Sequence, residues 1–155
     1  MPLHKFCWDA TVFIAILTAE QRSADDMAGL AEVLELADQG RAIIVTSALI
    51  HSEAIGRPEN PNVADVLRRL FQRPNFIHMD LNPELSRTAG RIREQVIDSG
   101  LSLKTEDASY IATAIAYRAD ALHSFDHDHL RLNGHPAVGG LVICKPKGQQ
   151  TLLGL

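Results

Sequence analysis

Residues 5–17 read KFCWDATVFIAIL and residues 104–126 read KTEDASYIATAIAYRADALHSFD. In the first, an apolar strand-like run meets an acid, Asp9, and continues as a helix-like run. In the second, a helix carrying Asp107 is followed by a short strand and then Asp126. Residues 43–55, IIVTSALIHSEAI, repeat the theme: a β-branched strand opens into a short helix that carries Glu53. A carboxylate next to an apolar core is costly unless it is paired, protonated or bound to a cation. Four acids placed in this way point to an acidic pocket that holds a divalent ion.

Working outward, strands are expected over residues 5–8, 42–46, 76–79, 121–125 and 141–144. Helices are expected over residues 11–19, 24–39, 47–56, 63–71, about 83–99 and 105–117. Ser23 is read as an N-cap, Thr105 as another, Pro83 as a helix opener, and Gly40 and Gly100 as closers. Strands alternating with helices imply a three-layer α/β/α sandwich around a central, mostly parallel sheet. Active sites in such sheets lie beyond the carboxyl ends of the strands. Asp9 and Asp126 each follow a strand there. Glu53 lies on the apolar face of its helix with Leu49 and Ile50. Asp107 is assigned inward with Ile111 and Ile115, whereas Glu106 shares the outer face with Tyr110 and Tyr117.

The chain has 155 residues, 46% of them apolar, and fits one folded domain over residues 1–155. No apolar run approaches the ~20 residues needed to span a bilayer. The opening MPLHKFCWD reaches an acid too early for a secretory signal. Cys7 and Cys144 lack CxxC spacing and read as reduced thiols, so a cytoplasmic setting is expected. The net charge of −4 argues against a nucleic-acid partner until the four acids are neutralised by metal, after which the remainder is near zero. Arg57, Arg68, Arg69 and Arg73 then form one basic stretch, and Arg87, Arg91 and Arg93 another; each arginine alone reads first as a solvated helix face.

Taken singly, each acid also has a structural reading. Asp9 and Asp126 suit turns or caps, Asp107 suits a helix dipole, and Glu53 suits half of a buried ion pair. The histidines at 123, 127, 129 and 135 cluster, but the HDH run does not complete a zinc motif. Oxygen donors suit Mg²⁺ or Mn²⁺.

In order along the chain, Asp9-Ala10-Thr11, TSALIHSEAI with Glu53, EDASYIATAIAYRADAL with Asp107, and SFDHDHL with Asp126 resemble the PIN domain family, most closely its small VapC-type ribonuclease toxins. The resemblance implies an α/β/α fold and Mg²⁺ or Mn²⁺ held by Asp9, Glu53, Asp107 and Asp126. It further implies endonucleolytic RNA cleavage, an antitoxin protein partner and a homodimer. Thr11 and Ser124 are then accessory hydroxyls, Ser124 standing where the family commonly has threonine, and Asp128 is an accessory acid. His129 and Leu130 stand where an aromatic is common. Two other classes fit less well. A phosphatase of the haloacid dehalogenase type wants an Asp two residues after the first, where this chain has Thr11. A non-catalytic module that binds RNA or protein would be expected to lose some of the four acids.

Overall fold

A computed structural model describes residues 2–148. Its central strand is β1 (His4–Trp8), in which Phe6, Cys7 and Trp8 are all fully buried. Successive strand residues point to opposite faces, so three buried in a row means that both faces are covered. Four further strands flank it: β2 (Ala42–Ser47), β3 (Phe76–Met79), β4 (Ala121–His123) and β5 (Val142–Cys144). All pair in parallel in the order β3-β2-β1-β4-β5. The chain therefore builds outward on one side of β1 and then returns to the other. That reversal between β1 and β4 is the crevice where such sheets bind ligands.

The helices are α1 (Ala10–Leu17), α2 (Ala24–Asp38), α3 (Leu49–Ala54), α4 (Val63–Leu70), α5 (Pro83–Asp98), α6 (Thr105–Ala116) and α7 (His127–Leu130). Helix α6 packs across β1, β2 and β4 with α5 against it, while α2 packs on β2. Ser23 caps α2 by accepting from Asp26 N at 3.1 Å, and Asn82 caps α5, with Pro83 in its first turn. Gly40 and Gly100 take φ of 71° and 92° just past α2 and α5, a conformation that disfavours any Cβ.

Three expectations need correction. Thr105 does not cap α6: it is the first helical residue, and the cap position belongs to Lys104, which has no oxygen to offer. The fourth strand ends at His123 instead of reaching residue 125, because Ser124 and Asp126 turn away to build a pocket. The short helix α7, unforeseen, follows at once, capped by Asp126 accepting from Asp128 N. The rest of the element order agrees, and Trp8 and Phe6 are core residues. Trp8 Nε1 donates to His123 Nδ1 at 3.2 Å, and its carbonyl accepts from the Thr46 hydroxyl at 2.7 Å. Cys7 is a fully buried free thiol. No helix among the described residues is long and apolar enough to cross a membrane.

The chain beyond β5 runs tightly over α2. A Cβ on Gly29 would stand 2.1 Å from the Pro146 carbonyl oxygen, a backbone atom that cannot turn aside. Alanine in place of a helical glycine ordinarily stabilises by up to ~1 kcal/mol. Here Gly29→Ala is expected to have the opposite sign and to cost about 1–3 kcal/mol in denaturant unfolding. A stabilised variant would mean that residues 145–148 do not hold this position.

Candidate active site

Asp9 is 2% exposed, and both of its oxygens are fully engaged. Oδ1 accepts from the Thr11 hydroxyl at 2.5 Å and from Val12 N at 3.3 Å, which makes Asp9 the N-cap of α1. Oδ2 accepts from the Ser124 hydroxyl at 2.5 Å and from His129 Nδ1 at 2.7 Å. Two donors come from the neighbouring turn and two from the segment that follows the adjacent strand β4. Thr11 in turn accepts from Phe125 N at 2.9 Å, and Ser124 from Asp126 N at 2.9 Å. The two expected accessory hydroxyls thus stitch the loop after β1 to the loop after β4.

The other acids gather around this hub. Asp9, Glu53, Asp107 and Asp126 line one concavity of about 220 Å³. Glu53 is half-buried and accepts from the Tyr110 hydroxyl through Oε1 at 2.8 Å. One ligand oxygen each from Asp107, Asp126 and Asp128 lies within 4.8 Å of the other two; this is the only such trio of metal-capable groups among the described residues. Asp107 Oδ2 is buried and has no hydrogen-bond partner. A buried carboxylate oxygen without a donor is costly, and it suits a hard cation. The donor set therefore fits Mg²⁺ or Mn²⁺. With four donors already on its two oxygens, Asp9 is the least free of the acids to meet an ion directly.

Electrostatics favour a cation in this pocket. Burial pushes the Asp107 carboxyl up; His129 and, more weakly, Lys104 oppose this, while Asp126 and Asp9 add to it. Burial likewise raises Glu53, against the Tyr110 hydrogen bond and with help from Asp107, Glu106 and Asp9. Both groups would ionise more readily beside a cation.

Two residues of this site escaped the sequence reading. Tyr110, assigned to the outer face of α6 with Glu106, is 1% exposed and holds Glu53, whereas Ile115, assigned inward with Asp107, is 38% exposed. The helix is apolar nearly all round, so its periodicity gave no direction. His129, noted as standing where an aromatic is common, is fully buried. Its Nδ1 faces the Asp9 carboxylate and its Nε2 the Asp107 carbonyl, at 2.9 Å. Both partners only accept, so both ring nitrogens donate and the ring carries a charge. The other histidines disperse: His123 meets Trp8, His135 meets Ser99, and His51 meets His78. They build no zinc site among the described residues. A larger hollow of about 570 Å³ beside α5 and α6 is lined by Arg91, Arg118 and small apolar groups, with no acid, histidine or cysteine. It has no chemistry to compete with the acid pocket.

Burial pushes the His129 pKa down, but the hydrogen bond to Asp9, the charges of Asp9 and Asp107, and the Asp107 carbonyl outweigh it and raise the value from 6.5 to about 9. The folded state thus holds this proton more tightly than the unfolded chain. Its stabilisation is complete below about pH 6.5 and is lost as pH rises through about 9, on the order of 3 kcal/mol. Unfolding free energies measured from pH 6 to 10 are expected to fall accordingly, and far less in His129→Asn, which keeps a donor for Asp9 without a titrating ring. The buried Cys7 thiol adds a loss of the same sign at the alkaline end in both proteins. Equal slopes in both would remove His129 as the source.

Several solved structures share this architecture. VapBC2 from Rickettsia felis, solved bound to a DNA fragment from its promoter, matches with a TM-score of 0.62 at 14% identity, covering 90% of this chain and 96% of that one. FitAcB from Neisseria gonorrhoeae gives 0.58 at 14%, covering 91% and 97%. VapC20 from Mycobacterium tuberculosis, described as a sarcin-ricin loop cleaving toxin, gives 0.59 at 14%, covering 79% and 91%. No curated protein sequence gives a significant match. The sequence model of the PIN domain matches residues 6–134, nearly the whole of the sheet and the entire acid pocket, and the chain belongs to the PIN domain family.

Proposed function

We propose that this protein is a divalent-metal-dependent endoribonuclease formed by a single PIN domain, acting as the toxin of a toxin–antitoxin pair. The observation that carries the reading is the meeting of Asp9, Glu53, Asp107 and Asp126 in one pocket at the carboxyl edge of β1 and β4. Family membership supports nuclease chemistry. The likeness to VapBC2 and FitAcB supports an antitoxin partner, and the likeness to the sarcin-ricin loop cleaving toxin supports an RNA substrate. A homodimer and a cytoplasmic setting belong to the same proposal.

Asp107, Asp126 and Asp128 would hold Mg²⁺ or Mn²⁺, with Glu53 and Asp9 completing the acidic wall. When bound, the ion neutralises phosphate charge and acidifies water. The chain's own residues do the positioning. Tyr110 fixes the orientation of Glu53 through Oε1. Thr11, Ser124 and His129 fix Asp9 and, through it, the loop that carries Asp126. This commitment of Thr11 also weighs against a haloacid dehalogenase-type phosphatase, which would need an acid at that position. The retention of every acid weighs against a non-catalytic module.

Purified protein is expected to cut a structured RNA with Mn²⁺ and to leave it intact with a chelator. Asp107→Asn is expected to remove cleavage by roughly 100-fold or more, while its fold persists because Oδ2 has no donor to clash with. Mn²⁺ at 100-fold above its Kd is expected to stabilise wild type by about 2.7 kcal/mol, or roughly 5–10 °C in Tm. Asp107→Asn should show little of that shift. An unchanged wild-type melting curve at millimolar Mn²⁺, or chelator-resistant cleavage that survives Asp107→Asn, would overturn the reading.

A further inference from the structure

The basic residues singled out in the sequence separate sharply once the chain folds. Arg68 and Arg69 both bind Asp65, at 2.6 and 2.5 Å, and Arg73 binds Asp38 at 2.9 Å. Arg93 donates to the Leu103 carbonyl at 2.8 Å, and Arg91 lines the acid-free hollow beside α5. Of that group only Arg57 reaches the acid pocket, where it is joined by Lys104.

Arg57 comes two residues after the C-cap of α3, beyond Gly56, whose φ of 89° reverses the chain. That turn brings the half-buried side chain back along α3, where Nε donates to the Glu53 carbonyl at 3.4 Å. This bond tethers the stem and leaves both terminal nitrogens without a hydrogen bond among the described residues. Lys104 stands on a different element, at the cap position of α6, three residues before Asp107 and exposed to solvent. The same pocket is lined by five acids: Asp9, Glu53, Glu106, Asp107 and Asp126. Even so, neither cation is ion-paired with a carboxylate among the described residues, where six other lysine and arginine side chains are.

Two cations on separate elements of an acidic pocket, without a close ion pair among the described residues although Lys104 acts on Asp107 at longer range, have a clear electrostatic use. The protein is acidic overall, so a polyanion approaching the pocket is repelled until charge is supplied. A metal ion offsets the acids, but it does not offset the phosphates on either side of the one being cut. Arginine binds phosphate oxygens in bidentate fashion, and lysine serves as a point charge. We propose that Arg57 and Lys104 are substrate-binding residues that contact the RNA phosphates flanking the scissile bond, one on each wall of the acid pocket. This inference rests on the ribonuclease reading above.

The test compares wild type, Arg57→Ala, Lys104→Ala, Arg57→Lys and the control Arg68→Ala, all as full chains. Melting curves establish that each folds. Steady-state cleavage of a fluorescent RNA at saturating Mn²⁺ separates KM from kcat, and anisotropy with Ca²⁺ in place of Mn²⁺ reads binding directly. Each alanine variant in the pocket is expected to raise KM and Kd about tenfold, the worth of one charge-assisted hydrogen bond. Each is also expected to lower the salt slope of log Kd by about one, with kcat within about twofold of wild type. Arg57→Lys should keep the slope and recover part of the affinity; Arg68→Ala should match wild type. If wild type binds and cuts RNA while Arg57→Ala and Lys104→Ala keep its KM, Kd and salt slope, the inference falls and the nuclease reading stands. If wild type neither binds nor cuts RNA, both fall.

Discussion

The site depends on one buried carboxylate. Asp9 ends the central strand, caps the first helix, and accepts two further bonds from residues 115 and 120 positions later. A charge 2% exposed is tolerable only when its oxygens are satisfied, and four donors achieve that. Because those donors sit on separate segments, satisfying Asp9 also fixes where the segments lie. The loop after β4, the start of α7 and, through His129, the first turn of α6 are all registered against the end of β1.

His129 makes this arrangement affordable in charge as well as geometry. Its ring lies between the Asp9 carboxylate and the Asp107 carbonyl, with Asp107 Oδ1 at 3.9 Å, and so places a positive charge inside an otherwise acidic cluster. One anion is compensated by the protein itself. The remaining acids, Glu53 and Asp107 above all, stay uncomfortable, with carboxyls raised by burial and mutual repulsion. The pocket thus divides its acids: one held rigid by protein donors, the others poised for an external cation. A neutral aromatic at position 129 could pack in the same space but would leave Asp9 a donor short.

The resemblance to the PIN family was legible because its acids fall at strand ends and in short helices whose order along the chain is fixed by topology. The structural readings of single acids were also partly right. Asp9 and Asp126 do cap helices, and this does not compete with a place in the pocket, since a cap at a strand's carboxyl end already faces the crevice. What failed was direction. On α6, a helix buried on several sides, counting by threes and fours could not tell that Tyr110 turns inward and Ile115 outward. Nor could neighbouring arginines be told apart, because Arg68 and Arg69 find their acid one helical turn away and Arg57 does not.

The sequence by itself determined the alternation of strands and helices, the parallel sheet, the Ser23 cap, and which four acids interrupt apolar runs. Each of these is written in local periodicity or in residues three and four apart. Only the tertiary structure decided who satisfies those acids. Tyr110 meets Glu53 from 57 residues away, and His129 meets Asp9 from 120. Such partners are chosen by the crossing of segments over the sheet, a distance in space that spacing along the chain does not encode.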